Sequence, residues 1–234
     1  MTREIVLDTE TTGLSPASGD RIVEIGCVEL INHVPTGKHH HVYLDPQRSM
    51  PEEAFRVHGL SDEFLAGKPL FVDAAQAFLD FIGDGTLVIH NAPFDMGFLN
   101  AELKRIDRPA LTNEVIDTVQ VARKVYPGAR VSLDALCKHY GIDNSKRTLH
   151  GALLDSEILA EVYLELIGGR QVALALSAEA QNQAAGLVPE VDNTPRVPRP
   201  NPLPSRLSAE VKAAHAALIA DIGDEALWHQ YEKS

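Results

Sequence analysis

The chain has 234 residues, 44% hydrophobic and 23% charged, with 33 acidic against 21 basic side chains and a net charge of −12. That supplies one sizeable core plus a tail; with no apolar run long enough to span a bilayer and no secretory pattern at the N-terminus, a soluble cytoplasmic protein is expected. The acidic balance is awkward for a nucleic-acid binder, whose phosphate contacts call for basic surface. Cys27 and Cys137, each in an apolar stretch, read as reduced core residues rather than a disulfide or a zinc site.

In chain order, strands are predicted near 3–9, 21–31 and 37–44, the last two as a hairpin across Pro35-Thr36-Gly37. The triplet His39-His40-His41 falls on the third strand, where neighbours point to opposite faces and cannot converge on one ion, so it reads as edge-strand surface. A helix near 72–82 precedes a strand at 86–90, and helices follow near 94–106, 118–126, 132–140 and 150–167. The fold class is α/β: a mixed central sheet flanked by helices. Residues 187–206 hold Pro189, Pro195, Pro198, Pro200, Pro202 and Pro204 with little apolar periodicity, which marks an extended linker within a flexible C-terminal tail. Over 207–234, Ser208 opens a helix whose Val211, Ala214, Leu218 and Ile222 line one face, with Leu227-Trp228 beyond. A helix this short rarely folds alone in water, so it calls for a partner.

Chemistry concentrates in three places. Ile5-Val6-Leu7 ends at Asp8-Thr9-Glu10, closed by Thr11-Thr12-Gly13, so Asp8 and Glu10 project to one side at the end of a buried strand. Two carboxylates there repel and lose hydration unless one is protonated or a metal lies between them, and oxygen-only ligation suits Mg²⁺ or Mn²⁺. The triplet alone is weak, since Asp155-Ser156-Glu157 repeats it; strand context distinguishes the first copy. In His90-Asn-Ala-Pro-Phe-Asp95 a second apolar strand runs into a helix start, where an isolated Asp95 would be explained by the helix dipole. In the third place His150, read as just inside a helix, stands before Asp155, which borders the apolar stripe of Leu154, Ile158, Leu159 and Val162.

This order of motifs, strand D-x-E with T-T-G, then N-x-x-F-D, then H-x4-D, resembles the DEDDh (DnaQ-like) 3′→5′ exonucleases over residues 3 to about 167. The resemblance implies an RNase H-like fold and removal of 3′-terminal nucleotides by a two-metal mechanism, with two Mg²⁺ or Mn²⁺ ions. Asp8, Glu10, Asp95 and Asp155 match the metal-binding acids, and Asp8 is the candidate bridge between the ions. His150 matches the general base, and the ordinary histidine pKa of about 6.5 suits that task. Thr11 and His58, the latter in Val57-His58-Gly59-Leu60, match substrate-contacting positions.

The tail narrows the resemblance to the epsilon proofreading subunits of bacterial DNA polymerase III. It implies residence in the bacterial replisome and a division into an exonuclease domain at 1–170, a clamp-binding segment at 171–186, the linker at 187–206 and a polymerase-binding helix at 207–234. Leu218 and Trp228 are the expected contacts to the polymerase alpha subunit. Gln171, Leu174 and Leu176 resemble a sliding-clamp peptide that lacks its terminal Phe, so clamp binding should be weak; the same residues also suit the extension of a helix. The expected substrate is a single-stranded or frayed 3′ end of DNA, and a small theta-like subunit is a further candidate partner. Two other functions stay open: a stand-alone exoribonuclease of oligoribonucleotide type, and a mainly structural polymerase subunit. The intact acid set argues against the second.

Overall fold

A computed structural model describes residues 2–145, 147, 149–168 and 208–223. The chain divides into two units, residues 1–175 and 176–234. The first holds β1 (Arg3–Thr11), β2 (Ile22–Ile31), β3 (Val34–Tyr43), α1 (Glu52–His58), α2 (Asp62–Leu65), α3 (Phe71–Ile82), β4 (Thr86–Ile89), α4 (Ala92–Arg105), β5 (Val115–Asp117), α5 (Thr118–Val125), α6 (Leu133–Tyr140) and α7 (Ala152–Leu166). In the second, α8 spans Ala209–Ile222.

The sheet order is β3-β2-β1-β4-β5. β1 lies at the centre, antiparallel to β2 and parallel to β4, while β5 extends the parallel side. A central strand is covered on both faces, which is why Ile5, Val6 and Leu7 run without a polar interruption and are all fully buried. Their alternation divides the core. Ile5 and Leu7 pack with Phe78 of α3 and with Phe98 and Leu99 of α4. Val6 packs on the other face with Ala122 of α5, Leu136 of α6 and Leu159 and Val162 of α7. Glu4 shares the Val6 face, and its carboxylate accepts a 2.6 Å hydrogen bond from the buried Tyr163 hydroxyl of α7. Beside it on the other face, α4 is tied to the sheet by Glu102, which accepts from Arg21 Nε at 2.6 Å and Nη2 at 2.9 Å.

The predicted helices are present with bounds shifted by one or two residues at most ends, and the mixed sheet is as expected. The hairpin turn is not where Pro35-Thr36-Gly37 placed it. β2 and β3 are joined by Asn32 and His33, both left-handed with φ of 49° and 63°, the two-residue geometry whose twist matches that of the strands. Pro35 lies inside β3 opposite Leu30, beside a register shift between Val28 and Leu30. An edge strand tolerates a residue without an N–H there. The short elements α1, α2 and β5 were not anticipated. α2 is held by Ser61, whose side chain accepts from the Phe64 N–H at 3.2 Å. The histidine triplet lies on edge strand β3 as expected: His41 bonds Glu24 at 2.7 Å while His40 turns toward Phe78 and Phe81.

α8 begins as read from sequence, with the Ser208 hydroxyl accepting from the Val211 N–H at 3.3 Å. Val211, Leu218 and Ile222 are all more than half exposed. The linker at 187–206, the segment at 171–186 and residues 224–234, with Gln171, Leu174, Leu176 and Trp228, lie outside the described residues.

Candidate active site

The acids meet at the C-terminal end of β1, approached from both faces of the sheet. Asp8 and Glu10 continue the row of Glu4 and Val6, toward the side that α7 covers. α7 sits low on the sheet because Gly26, paired with Asp8 across the β1–β2 ladder, offers no side chain. A Cβ at Gly26 would lie 2.3 Å from the Ala152 carbonyl carbon and the Leu153 nitrogen, and the Ser156 hydroxyl donates to the Gly26 carbonyl at 2.9 Å. That close approach carries Asp155, in the first turn of α7, to the strand end. From the opposite face α4 contributes Asp95, which accepts a 2.7 Å hydrogen bond from the Thr9 hydroxyl. α4 starts sharply because Asn91 takes a left-handed conformation, φ 69°, directly before it.

Asp95 and Asp155 are each 3% exposed and Glu10 8%. Burial of this kind is tolerable for a carboxylate only if it is protonated or compensated by cations. Burial, then the charge of Asp95, then those of Glu10 and Asp155 drive the Asp8 carboxyl well above its ordinary value. Glu10 is pushed up to about 8 by burial and by the charges of Asp155, Glu24 and Asp95. Burial pushes Asp95 up to about 7 against the stabilising hydrogen bond from Thr9. Asp155 goes the other way: burial would raise it, but its contacts with His150 and Arg147 hold its charged form and lower it.

Ligand atoms of Glu10, His150 and Asp155 lie within 4.8 Å of one another, a spacing that a metal ion could bridge. Asp8 and Asp95 fall outside that group but feel its charge. His150 is not inside the helix as the sequence reading had it. Gly151 is the N-cap of α7, so His150 stands on the preceding loop, with its N–H donating to the Val57 carbonyl at 3.0 Å and its side chain 47% exposed. The loop position follows from the extended backbone that an N-cap requires. Its Nδ1 lies 3.2 Å from Asp155 Oδ2.

Thr11 and His58 are buried beside the site. The Thr11 hydroxyl donates to the Gly13 carbonyl at 2.6 Å. His58 Nδ1 accepts from the Leu60 N–H at 3.1 Å, while its Nε2 is buried without a well-formed hydrogen bond. Burial lowers the His58 pKa, against a backbone hydrogen bond to Thr11 that raises it, and the neighbouring His150 lowers it further. Leu218 is on the exposed face of α8.

Arg147 was missed. Its side chain is 8% exposed and grips Asp155 through two parallel hydrogen bonds, Nε to Oδ1 at 2.5 Å and Nη2 to Oδ2 at 2.8 Å. Nη1 donates to Asp134 at 2.8 Å. An arginine in a loop has no periodicity to betray it; the only available signal was its short distance in sequence from His150 and Asp155.

A family model described as Exonuclease matches residues 5–163, which span all of these acids and His150. The chain belongs to the exonuclease family. Among curated family members, the DNA polymerase III subunit epsilon of Rickettsia prowazekii is 60% identical over 174 residues, covering 72% of this chain and 76% of that protein. The Escherichia coli K12 subunit of the same name is 53% identical over 192 residues, covering 78% and 79%. Among solved exonucleases, Exonuclease X in complex with 5′-overhanging duplex DNA matches with a TM-score of 0.57 and 27% identity, over 70% of this chain and 90% of that one. The nuclease domain of 3′hExo, a DEDDh family member bound to rAMP, shares the fold with a TM-score of 0.62 at 17% identity, over 70% and 91%.

Proposed function

We propose that this chain is the proofreading 3′→5′ exonuclease subunit of a replicative DNA polymerase, removing mismatched nucleotides from the 3′ end of DNA. The observation that carries the reading is the set of acids gathered at one strand end from three elements, Glu10, Asp95 and Asp155 buried and Asp8 partly so, within a chain so similar to polymerase III epsilon subunits. For three of the four, burial and mutual repulsion favour the protonated form over the bare anion. Divalent cations answer that need, and an all-carboxylate oxygen set suits Mg²⁺ or Mn²⁺. Two ions would be held by Asp8 as shared ligand with Glu10, Asp95 and Asp155 completing their shells. When bound, they supply positive charge to the attacking and leaving oxygens of an in-line displacement at phosphorus.

The chain's own groups do the rest. His150, half exposed on its loop, takes the proton of the attacking water. Thr9 orients Asp95 and so fixes the donor set before substrate arrives. Thr11 and His58 line the approach to the acids and contact the terminal nucleotide. The domain occupies 1–170, with the weak clamp-binding segment at 171–186 and the linker at 187–206 leading to the tail. Within 207–234, the exposed apolar face of α8 around Leu218, together with Trp228, docks on the polymerase alpha subunit. An acidic nuclease with little grip of its own on DNA gains most from such tethering. A theta-like subunit would add a further contact.

The test is hydrolysis of 5′-labelled DNA with a paired or mismatched 3′ end, in Mg²⁺, by the full chain. Shortening from the 3′ end, faster at the mismatch, is expected. Shortening of RNA with DNA left intact would favour the oligoribonuclease reading instead.

A further inference from the structure

Among the described residues, Arg147 is the only arginine or lysine that forms an ion pair with any of the four acids. It also touches the base: Nη2 lies 2.7 Å from His150 Nδ1. A guanidinium can only donate. His150 Nδ1 must therefore accept, and the proton of the neutral ring sits on Nε2. In that tautomer neither nitrogen can take a proton from water, because one lone pair is engaged and the other nitrogen already carries hydrogen. Asp155 Oδ2, at 3.2 Å from the same Nδ1, marks where that nitrogen would donate if Arg147 were gone. Nε2 would then present a free lone pair.

We propose that Arg147 is a latch that keeps the metal-free enzyme assembled and switched off. As counter-cation of Asp155 it offsets the repulsion within the acid cluster, and as donor to His150 it fixes the tautomer that cannot act as base. A divalent cation ligated by Asp155 and the guanidinium repel each other across one carboxylate. Metal binding therefore drives Arg147 off Asp155 and His150 while it pivots on its existing bond to Asp134. That carboxylate is exposed and is itself steadied by Asn144 Nδ2 at 3.0 Å, so it stays in place to receive the guanidinium. The histidine gives up its Nε2 proton to solvent and takes one at Nδ1, which then donates to Asp155; no net proton is gained or lost. Arg147 acts through His150 and Asp155, and is a positioning residue. The inference rests on the metal-dependent exonuclease reading above.

The test uses the full chain with ¹⁵N-labelled histidine, read by NMR of the ring nitrogens without metal and with saturating Mg²⁺, alongside calorimetry of Mg²⁺ binding. The parent should show His150 protonated at Nε2 without metal and at Nδ1 with Mg²⁺. Arg147→Gln should show the Nδ1 proton even without metal and bind Mg²⁺ at least about five-fold tighter, the lower end of ordinary site-to-site coupling. Asp134→Asn removes the fallback partner and should weaken Mg²⁺ binding; the carboxylate is exposed, so this variant carries the test even if Arg147→Gln fails to fold. A Nδ1 proton in the metal-free parent, or Mg²⁺ binding by Arg147→Gln that is unchanged or weaker, overturns the latch. If the parent still hydrolyses DNA in that event, the exonuclease reading survives alone. A parent that neither binds Mg²⁺ nor hydrolyses DNA loses both.

Discussion

Replacing Gly26 by alanine tests whether the close approach of α7 to the sheet builds the site. The added methyl would lie 2.3 Å from the Ala152 carbonyl carbon and the Leu153 nitrogen, and 2.4 Å from the Ala152 oxygen. These are backbone atoms, so no change of rotamer relieves the overlap. Ordinary contact begins near 3.4 Å, and the start of α7 must retreat by about 1 Å. The retreat strains the 2.9 Å bond from Ser156 to the Gly26 carbonyl and draws Asp155 away from Asp8. Overpacking of this kind costs about 1–3 kcal/mol, which for a protein of this size lowers Tm by roughly 2–12 °C. A displacement of about 1 Å in a catalytic group can cost about 100-fold in rate. The assay is thermal unfolding followed by circular dichroism, paired with kcat on single-stranded DNA at saturating Mg²⁺. Gly97→Ala is the control: it lies in α4 two residues beyond Asp95, nothing stands within 4 Å of its Cβ, and helix propensity should leave it neutral or up to about 1 kcal/mol more stable. A Gly26→Ala variant with the parent's Tm and kcat would refute the argument.

Four further outcomes are expected. Asp8, Glu10 and Asp95 bind protons more tightly folded than unfolded, so stability in EDTA is greatest in mild acid and falls as pH rises from about 5 through the Glu10 value of about 8. Asp155 contributes with the opposite sign, its share being lost only as pH falls below about 4. Mg²⁺ should flatten the decline and Asp8→Asn should reduce it, so a flat Tm profile from pH 5 to 8 in EDTA contradicts the reading of an uncompensated acid cluster. The same Asp8→Asn variant should lose more than the roughly 10–100-fold in rate typical of losing an outer partner of a metal ligand, and near-parental kcat would remove Asp8 from the site. His150→Ala should lower kcat by about 10²–10⁴-fold while Mg²⁺ binding by calorimetry persists; an unchanged rate excludes it as base. Leu218→Glu places a charge on the exposed face of α8, and should abolish co-elution with the polymerase alpha subunit while kcat on single-stranded DNA stays at the parental value; retained co-elution would mean that this face is not the anchor.

The parts of the site that were legible share one property: they are polar where the local pattern is apolar. Asp8 and Glu10 close a run of buried strand residues, Asp95 follows the strand Leu87-Val88-Ile89, and Asp155 interrupts the buried stripe of α7. The strands and long helices were legible for the same reason, since each keeps one period over several residues. β5 has only three residues and α2 four, too few for a period to emerge. The misplaced hairpin has a different cause. Pro-Thr-Gly satisfies turn chemistry locally, but the ladder needed the left-handed pair at Asn32 and His33 to bring Ile31 opposite Val34.

Gly26 and Arg147 were illegible because their meaning lies in distant contacts. In Ile22-Val-Glu-Ile-Gly26-Cys-Val a glycine reads as a weak strand residue, and only the backbone of α7 resting on it explains why a side chain is forbidden. Arg147 sits in a loop, where a charge is ordinary and demands no account. Its two-pronged bond to Asp155 and its donation to His150 exist only because Gly26 lets α7 descend to the strand end. A buried acid is conspicuous in sequence because burial is costly to it, whereas the cation that relieves the cost arrives from solvent-facing chain and is conspicuous only in space.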